Sequence, residues 1–399
     1  MLKIGIECHN LEGERFGVGQ TLIQLLESLA KNSARFDLMT PEVEPQEAKN
    51  KFRFVLYFKK EIPKDAVLNN KIFEKKILRA PLLPPSFNIF YHILIPIAYF
   101  RDGLDGFFLP SYMIPAFFVG KSIVVLTNDV YYESHYGNLP FKYKIAYRIF
   151  SWLAAKRANK VLTISEFSQK ELAKLYKIPA DKISVITWGL NEKMRQLAKT
   201  AENIQKIKEI KQRIGIENKY ILSVGQAFPR RKIKESMLAF EKIANRFPDF
   251  QYLVACIDKY NPPILNELTD KINKGLGRQA IIRTDYLPQD EVLYLFNNAE
   301  LLLYISSHEA MGLPPMEALK CGLVPLVNDT NLTHEMLGDN AFFVKDIDDP
   351  NSIAKEMENA LTNAPRREKI IKEGQIAMQK FSWQEHGKKL LELFKETFK

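Results

Sequence analysis

The sequence predicts an α/β fold in two successive halves, and three observations carry that reading. Short apolar runs of strand length alternate with longer amphipathic segments along most of the chain. A polar stretch from about Arg195 to Lys219 interrupts the pattern, which restarts at Tyr220-Ile221-Leu222-Ser223-Val224-Gly225. A length of 399 residues is long for one core and comfortable for two domains. Strands alternating with helices favour parallel sheets, so each half is expected to be Rossmann-like, binding ligands at the carboxyl ends of its strands.

Composition narrows the functional classes. Hydrophobic residues at 46% and charged residues at 26% describe a globular protein and exclude a disordered one. The three cysteines are odd in number, widely spaced and without a Cys-x-x-Cys pair, so neither a disulfide framework nor a zinc site is expected, and a reducing cytoplasm fits best. The chain opens directly on a strand, without the basic-then-apolar layout of a signal peptide. A net charge of +10 invites a polyanionic partner. Nucleic acid is not expected, because Lys and Arg are interleaved with Asp and Glu through most of the chain and no aromatic-basic module appears.

In the first half, the strand Leu2–Ile6 is followed by Gly17-Val18-Gly19 and a helix with Leu22, Ile23, Leu25, Leu26 and Leu29 on one face. A glycine loop at a helix start can cradle phosphate. It is not the dinucleotide fingerprint, since Leu22 stands where the third glycine would be. The uncharged run between Arg79 and Arg101 is long enough to span a bilayer, but Pro84, Pro85 and Pro96 make a spanning helix poor. A buried or interfacial segment is expected there. Strands at Gly106–Leu109 and Ser122–Leu126 follow, the second delivering Asn128 and Asp129 to the sheet edge. A helix from about Tyr143 to Arg157 and the strand Val161–Ile164 lead to Ser165-Glu166-Phe167-Ser168, where Ser168 and Glu171 read as a capping box.

In the second half, Ile204, Ile207, Ile210 and Ile214 form one helical stripe expected to pack on that half. The strand at Tyr220 ends in Arg230-Arg231-Lys232, a concentration of like charge that is costly unless an anion is expected. Ile281–Leu287 reads as a strand and turn. The strand Leu301–Ile305 leads through Glu309 and Gly312 to a helix carrying Pro314, Pro315 and Glu317. That helix start is a site for an anion, and its two glutamates, eight positions apart, suit a ligand with phosphates and hydroxyls. Asp346-Ile347-Asp348 has a metal-like spacing, but Asp349-Pro350 follows at once, so turn and N-cap chemistry is the better reading.

Glu309-x7-Glu317, with Gly312-Leu313-Pro314 inside it and Cys321-Gly322-x-x-Pro325 after it, resembles the donor-sugar signature of the retaining GT-B glycosyltransferases of the mannosyltransferase and glycogen-synthase-like family, the glycosyl transferases of group 1. The resemblance implies two Rossmann-like domains facing each other across a cleft. Residues 1–192 would form the acceptor side, joined by a returning helix at 382–399, and residues 193–381 the donor side. The implied reaction moves a sugar from a nucleotide-diphosphate sugar to a hydroxyl of a glycan or lipid-linked acceptor, in cell-surface polysaccharide or glycolipid synthesis, with no cofactor and no metal.

By the same resemblance, Glu317 holds the ribose hydroxyls and Glu309 contacts the donor sugar. Gly17, Gly19, Arg230, Arg231, Lys232 and the Met311-Gly312-Leu313 backbone hold the diphosphate. Tyr286 and Leu287 meet the base. Asp129 faces the sugar or acceptor, beside Asn128 where the family usually shows His; Glu309, Asp129, Asn128 and Arg231 are the catalytic candidates. The positive charge and the aromatic run from Phe87 to Phe100 add a peripheral contact with an anionic membrane, on its inner face. A nucleotide-sugar epimerase or hydrolase and a non-catalytic scaffold subunit are the alternatives.

Overall fold

A computed structural model describes residues 1–13, 17–36, 52–80, 86–137, 139–285 and 287–399. The chain forms two compact units: Met1–Gly189 together with Phe381–Lys399, and Leu190–Lys380. Pro84, Pro85 and Tyr286 lie outside the described residues.

The first unit is built on seven strands: β1 Leu2–Glu7, β2 Phe52–Phe58, β3 Phe73–Ile77, β4 Gly106–Leu109, β5 Ser122–Val125, β6 Lys160–Thr163 and β7 Ile183–Val185. Their order is β3-β2-β1-β4-β5-β6-β7, every pair parallel. The chain steps outward from β1 to β3 and then returns to place β4 on the other flank of β1, so the reversal lies between β1 and β4. One face is covered by the helix Val18–Phe36, whose Leu22, Leu25, Leu26 and Leu29 recur at helical spacing and bury against Phe54 and Phe108. The last helix, Trp383–Phe398, lies beside it and adds Leu390, Leu391 and Phe394 to the same core.

Between Arg79 and Arg101 the described residues form consecutive short helical pieces, Phe87–Ile89, Phe90–Leu94 and Ile95–Arg101, with Pro96 in the first turn of the last. Phe90, Tyr91, Ile95 and Ala98 are buried, while Ile93, Ile97 and Phe100 are exposed. Among the described residues no helix is long and apolar enough to cross a membrane. The capping box expected at Ser168 is displaced by one turn: the helix is Glu166–Tyr176, and its N-cap is Ser165, whose hydroxyl accepts the Ser168 N–H at 3.0 Å. Ser165 wins because its own backbone is extended, at φ −150° and ψ 153°, which is the conformation an N-cap needs.

The second unit has six strands: β8 Lys219–Ala227, β9 Phe250–Asp258, β10 Ile281–Thr284, β11 Leu301–Tyr304, β12 Pro325–Asn328 and β13 Phe342–Val344. They are ordered β10-β9-β8-β11-β12-β13, again all parallel, with the reversal between β8 and β11. Every residue of β11 is buried, as a central parallel strand covered on both faces requires. The isoleucine stripe of the helix Ala201–Ile214 packs only in part. Ile210 is buried and Ile207 and Ile214 partly so, whereas Ile204, in the first turn, is exposed. Asp346 accepts the N–H groups of Asp348 at 3.1 Å and Asp349 at 3.2 Å, closing a turn, and Asp349 is the N-cap of the helix Pro350–Thr362.

Candidate active site

The reversal between β8 and β11 sends two loops out side by side from the carboxyl edge of the second sheet. After β8 the chain makes a single turn at Pro229–Arg231 and passes through Lys232, held in the left-handed region at φ 45°, into the helix Ile233–Ile243. After β11 it runs through Ser306–Gly312 into the helix Leu313–Lys320. The Ser307 N–H donates to the Arg230 carbonyl at 2.9 Å and ties the loops together. Arg231 Nε then donates to Glu309 Oε1 at 3.1 Å, and Arg230 Nη1 lies 3.5 Å from the same oxygen. The Arg231 guanidinium also covers the Tyr304 ring at 5.1 Å.

Gly225 provides room for this arrangement. Its φ of +113° lies where side chains are strained, and a Cβ there would come within 2.8 Å of Arg231 Nη1. Burial alone would push the Glu309 carboxyl up, but the guanidinium groups of Arg231 and then Arg230 outweigh it and hold the carboxyl below its usual range. Burial likewise works against the Arg231 charge and Glu309 overcomes it, so the pair is ionised together. His308 is shifted down, by burial and then by Arg230. Lys232 pairs with the exposed Asp348.

Gly312, at φ +76°, is the N-cap of the Leu313–Lys320 helix, with Pro314 and Pro315 at its second and third positions. Those prolines lack two of the four N–H groups a helix start normally offers, so Gly312 and Leu313 supply the remaining two. Met311 beside them is buried and Leu313 partly buried. Glu317 is partly buried on the same helix, and burial pushes its carboxyl up to about 7 against the opposing influence of Lys320 and a backbone hydrogen bond from Asn191. The two glutamates therefore differ in kind: Glu309 is a fixed anion, and Glu317 titrates near neutrality.

Leu287 packs at the margin of the second unit's core. The other sequence candidates belong to the first unit. Gly17, at φ +39°, precedes the Val18–Phe36 helix, and its carbonyl accepts the Thr21 N–H at 3.0 Å; Gly19 is buried in the first turn. Asn128 opens the helix Asn128–Tyr136 and is fully buried, its Oδ1 accepting the Ser168 hydroxyl at 2.5 Å. That bond ties two helix starts together. Asp129 follows it and is partly buried.

Sequence reasoning passed over Gly225 and Tyr304 as partners of Arg231, and also a polar cluster at the β1–β4 reversal. There Glu7, fully buried, accepts the His9 N–H at 2.7 Å, pairs with the His9 ring, and receives the Ser111 hydroxyl at 3.2 Å. Burial disfavours the His9 cation, yet Glu7 raises its pKa overall. A cavity of about 450 Å³ opens beside His9, Asn10, Lys59 and Lys60. Only the strand order brings Glu7 and Ser111, 104 positions apart, to one place.

Residues 17–193 match the family described as Glycosyltransferase Family 4, and residues 205–376 match Glycosyl transferases group 1. A serotype-specific mannosyltransferase, WbdA of Escherichia coli, is 26% identical over 303 residues, which are 74% of this chain and 36% of the relative. The chain thus spans about a third of that relative's length. O-antigen chain mannosyltransferase B of Escherichia coli is 26% identical over 233 residues, 57% of this chain and 58% of the relative. Among solved structures, a glycosyltransferase from Rickettsia africae ESF-5 superposes with a TM-score of 0.67 at 17% identity, covering 100% of this chain and 99% of the other. Anabaena Alr3699/HepE in complex with UDP and glucose gives 0.68 at 13% identity, covering 99% and 100%. At such identities the likeness is one of fold.

Proposed function

Because this chain belongs to the glycosyl transferases of group 1 and has their two Rossmann-like domains of GT-B type, we propose that it transfers a sugar from a nucleotide-diphosphate sugar to a hydroxyl of a glycan or lipid-linked acceptor. The observation that carries the proposal is the ionised Arg231–Glu309 pair at the strand reversal of the second unit, with Arg230 beside it. As the bond between sugar and diphosphate breaks, negative charge grows on the leaving group and positive charge on the ring. Arg230, Arg231, Lys232 and the N–H groups of Gly312 and Leu313 answer the first, and the Glu309 carboxylate answers the second. Glu317 holds the ribose hydroxyls, Leu287 and Tyr286 adjoin the base, and Gly17 and Gly19 approach the diphosphate. Asp129 faces the sugar or acceptor. Asn128 supports it through the tie to Ser168.

In this proposal the reaction retains anomeric configuration, the acceptor attacking from the leaving-group face, and uses no divalent metal because protein cations do the neutralising. Activated mannose is the first donor to test, since the Escherichia coli relatives are named mannosyltransferases, and a polysaccharide precursor is the first acceptor. The experiment is a nucleotide-release screen across activated sugars, with and without chelator and with a lipid-linked acceptor included. A linked product with unchanged anomeric configuration, formed equally in chelator, is the expected result. Release without a linked product would point to a hydrolase, no release with any donor to a scaffold subunit, and activity restored only by magnesium or manganese would overturn the metal-free reading.

A further inference from the structure

The polar cluster at the β1–β4 reversal of the first unit has no part in the chemistry proposed above. Glu7 has no exposed surface, and a buried carboxylate is tolerated only where donors surround it. It accepts the His9 N–H at 2.7 Å, the His9 ring through Nδ1, and the Ser111 hydroxyl at 3.2 Å, which Asn10 Nδ2 holds in turn at 2.8 Å. Glu7 thereby claims Nδ1. Nε2 is the ring nitrogen left for a ligand, with no hydrogen-bond partner among the described residues, and His9 lines the cavity of about 450 Å³.

The charged groups around the same cavity divide by whether they are already engaged. Glu12 is: its carboxylate accepts the Lys60 N–H at 3.0 and 3.1 Å and the Lys59 N–H besides. Glu61 is exposed. The ammonium groups of Lys59 and Lys60 have no carboxylate partner among the described residues. Lys59 Nζ stands 5.9 Å from the centre of the Phe87 ring and the His9 ring 5.0 Å from it, so the two cations flank one aromatic wall, which stacks on the buried Tyr91 at 5.2 Å. Arg79 adds a further cation, donating to the Lys60 carbonyl at 2.9 Å.

Burial works against the His9 cation and Glu7 outweighs it; Lys59 then opposes the charge and Glu12 assists it, and the balance favours the imidazolium. His9, Lys59 and Lys60 repel one another unless an anion joins them. A phosphate, with nearly two negative charges and three acceptor oxygens, answers three cations better than a singly charged carboxylate does. We propose that this cavity binds a phosphate group of the acceptor, carried on a sugar or in a diphosphate link to a lipid. That the phosphate is the acceptor's rests on the transferase reading, whereas the site for it rests on His9, Lys59 and Lys60 alone.

The test is isothermal titration of the full chain with mannose 6-phosphate, farnesyl diphosphate, mannose and sulfate, the His9 ring being followed by NMR. One of the two phosphate compounds is expected to bind at least about tenfold more tightly than mannose, and the stronger of them identifies the source of the group. Sulfate keeps its charge from about pH 6 to 9, so its affinity should fall as His9 loses its proton over that range, and bound sulfate should raise the His9 pKa. His9→Gln and Lys59→Gln should each weaken the phosphate compound by about tenfold, and His9→Gln should also abolish the pH dependence of sulfate binding. Lys59 is partly exposed, so its variant should melt near the unaltered chain and carries the test if His9→Gln disturbs the fold. Mannose binding as tightly as both phosphate compounds, sulfate affinity indifferent to pH, or both variants binding like the unaltered chain would each overturn the proposal. So would variants that lose UDP and keep the phosphate compounds, since the cavity would then serve the donor. Phosphate binding at His9 without sugar transfer from any donor would refute the transferase reading and leave the site standing.

Discussion

Arg231 and Glu309 stabilise each other's charge in a place where either alone would be costly. Arg231→Ala is therefore expected to act twice. On the proposed reading it removes a cation that neutralises the leaving diphosphate, which should lower turnover by a factor of about 100 or more, the order for losing one charge-stabilising donor. It also removes the largest influence holding the Glu309 carboxyl down, so the acidic limb of the pH–rate profile should move to higher pH. A profile with its acidic limb unmoved would remove Glu309 from the mechanism. Glu317 gives a second prediction at this scale. With burial pushing its carboxyl up to about 7, Glu317 becomes a carboxylate only as pH rises through neutrality; in its proposed role of accepting ribose hydroxyls, UDP or GDP affinity should increase between pH 6 and 8, and Glu317→Gln should flatten that rise. The sign for stability is opposite. The folded pKa lies above the ordinary 4.5, so the contribution is fully present below 4.5 and lost as pH rises through about 7; the Gln variant should melt higher than the unaltered chain at pH 8. Isothermal titration and thermal melts across that range check both.

At the scale of elements, the last helix is an integral part of the first unit. Ser28 donates to the Trp383 carbonyl, and Asn32 Nδ2 donates to the Gln384 carbonyl at 2.9 Å. Gly387 faces the first helix closely: a Cβ there would stand 2.7 Å from Asn32 Nδ2 and 3.1 Å from the Ser28 backbone carbon. In an exposed helix Gly→Ala stabilises by about 1 kcal/mol. Here overpacking of roughly 1–3 kcal/mol should win, so Gly387→Ala is expected to lower the thermal midpoint, and a raised midpoint would refute the close approach. His386, on the same helix, is buried with its ring nitrogen Nδ1 3.0 Å from the Thr187 carbonyl, and burial holds its pKa down at about 4. Its contribution to stability is complete above the ordinary 6.5 and declines as pH falls toward 4. His386→Gln should remove that part of the acid sensitivity, which melts at pH 5 and 7.5 would read.

For the whole molecule, the two units have separate cores and unequal dependence on chain continuity. The Leu190–Lys380 unit is one uninterrupted segment with its own sheet. Expressed alone it should melt cooperatively and keep nucleotide affinity within about tenfold, because Arg231, Glu309 and Glu317 all lie inside it. The first unit draws its closing helix from the far end of the chain, so a fragment ending at Gly189 leaves Leu26, Phe54 and Phe108 without the cover of Leu390 and Phe394. That fragment should aggregate or bind a hydrophobic dye, and recover when residues 381–399 are supplied as a peptide. A soluble, cooperative fragment without the peptide would contradict this account.

The sequence by itself determined the α/β class, the restart of the pattern at Tyr220, the turn at Asp346–Asp349 and the signature from Glu309 to Pro325, because each follows from local periodicity, from backbone preference or from a contiguous string of residues. Its local reading failed by small margins where two candidates competed, as at Ser165 and Ser168, or where a helical stripe outran its partner, as at Ile204. What only the tertiary structure decided is non-local. Strand order brings Arg231 to Glu309 and Ser111 to Glu7. Packing buries Asn128 against Ser168, raises Glu317 toward 7, and leaves one side of the helix Phe141–Arg157 bare. Burial and proximity are properties of elements distant in the chain, and a carboxyl's proton affinity or an aromatic's exposure depends on those neighbours rather than on its own place in the sequence.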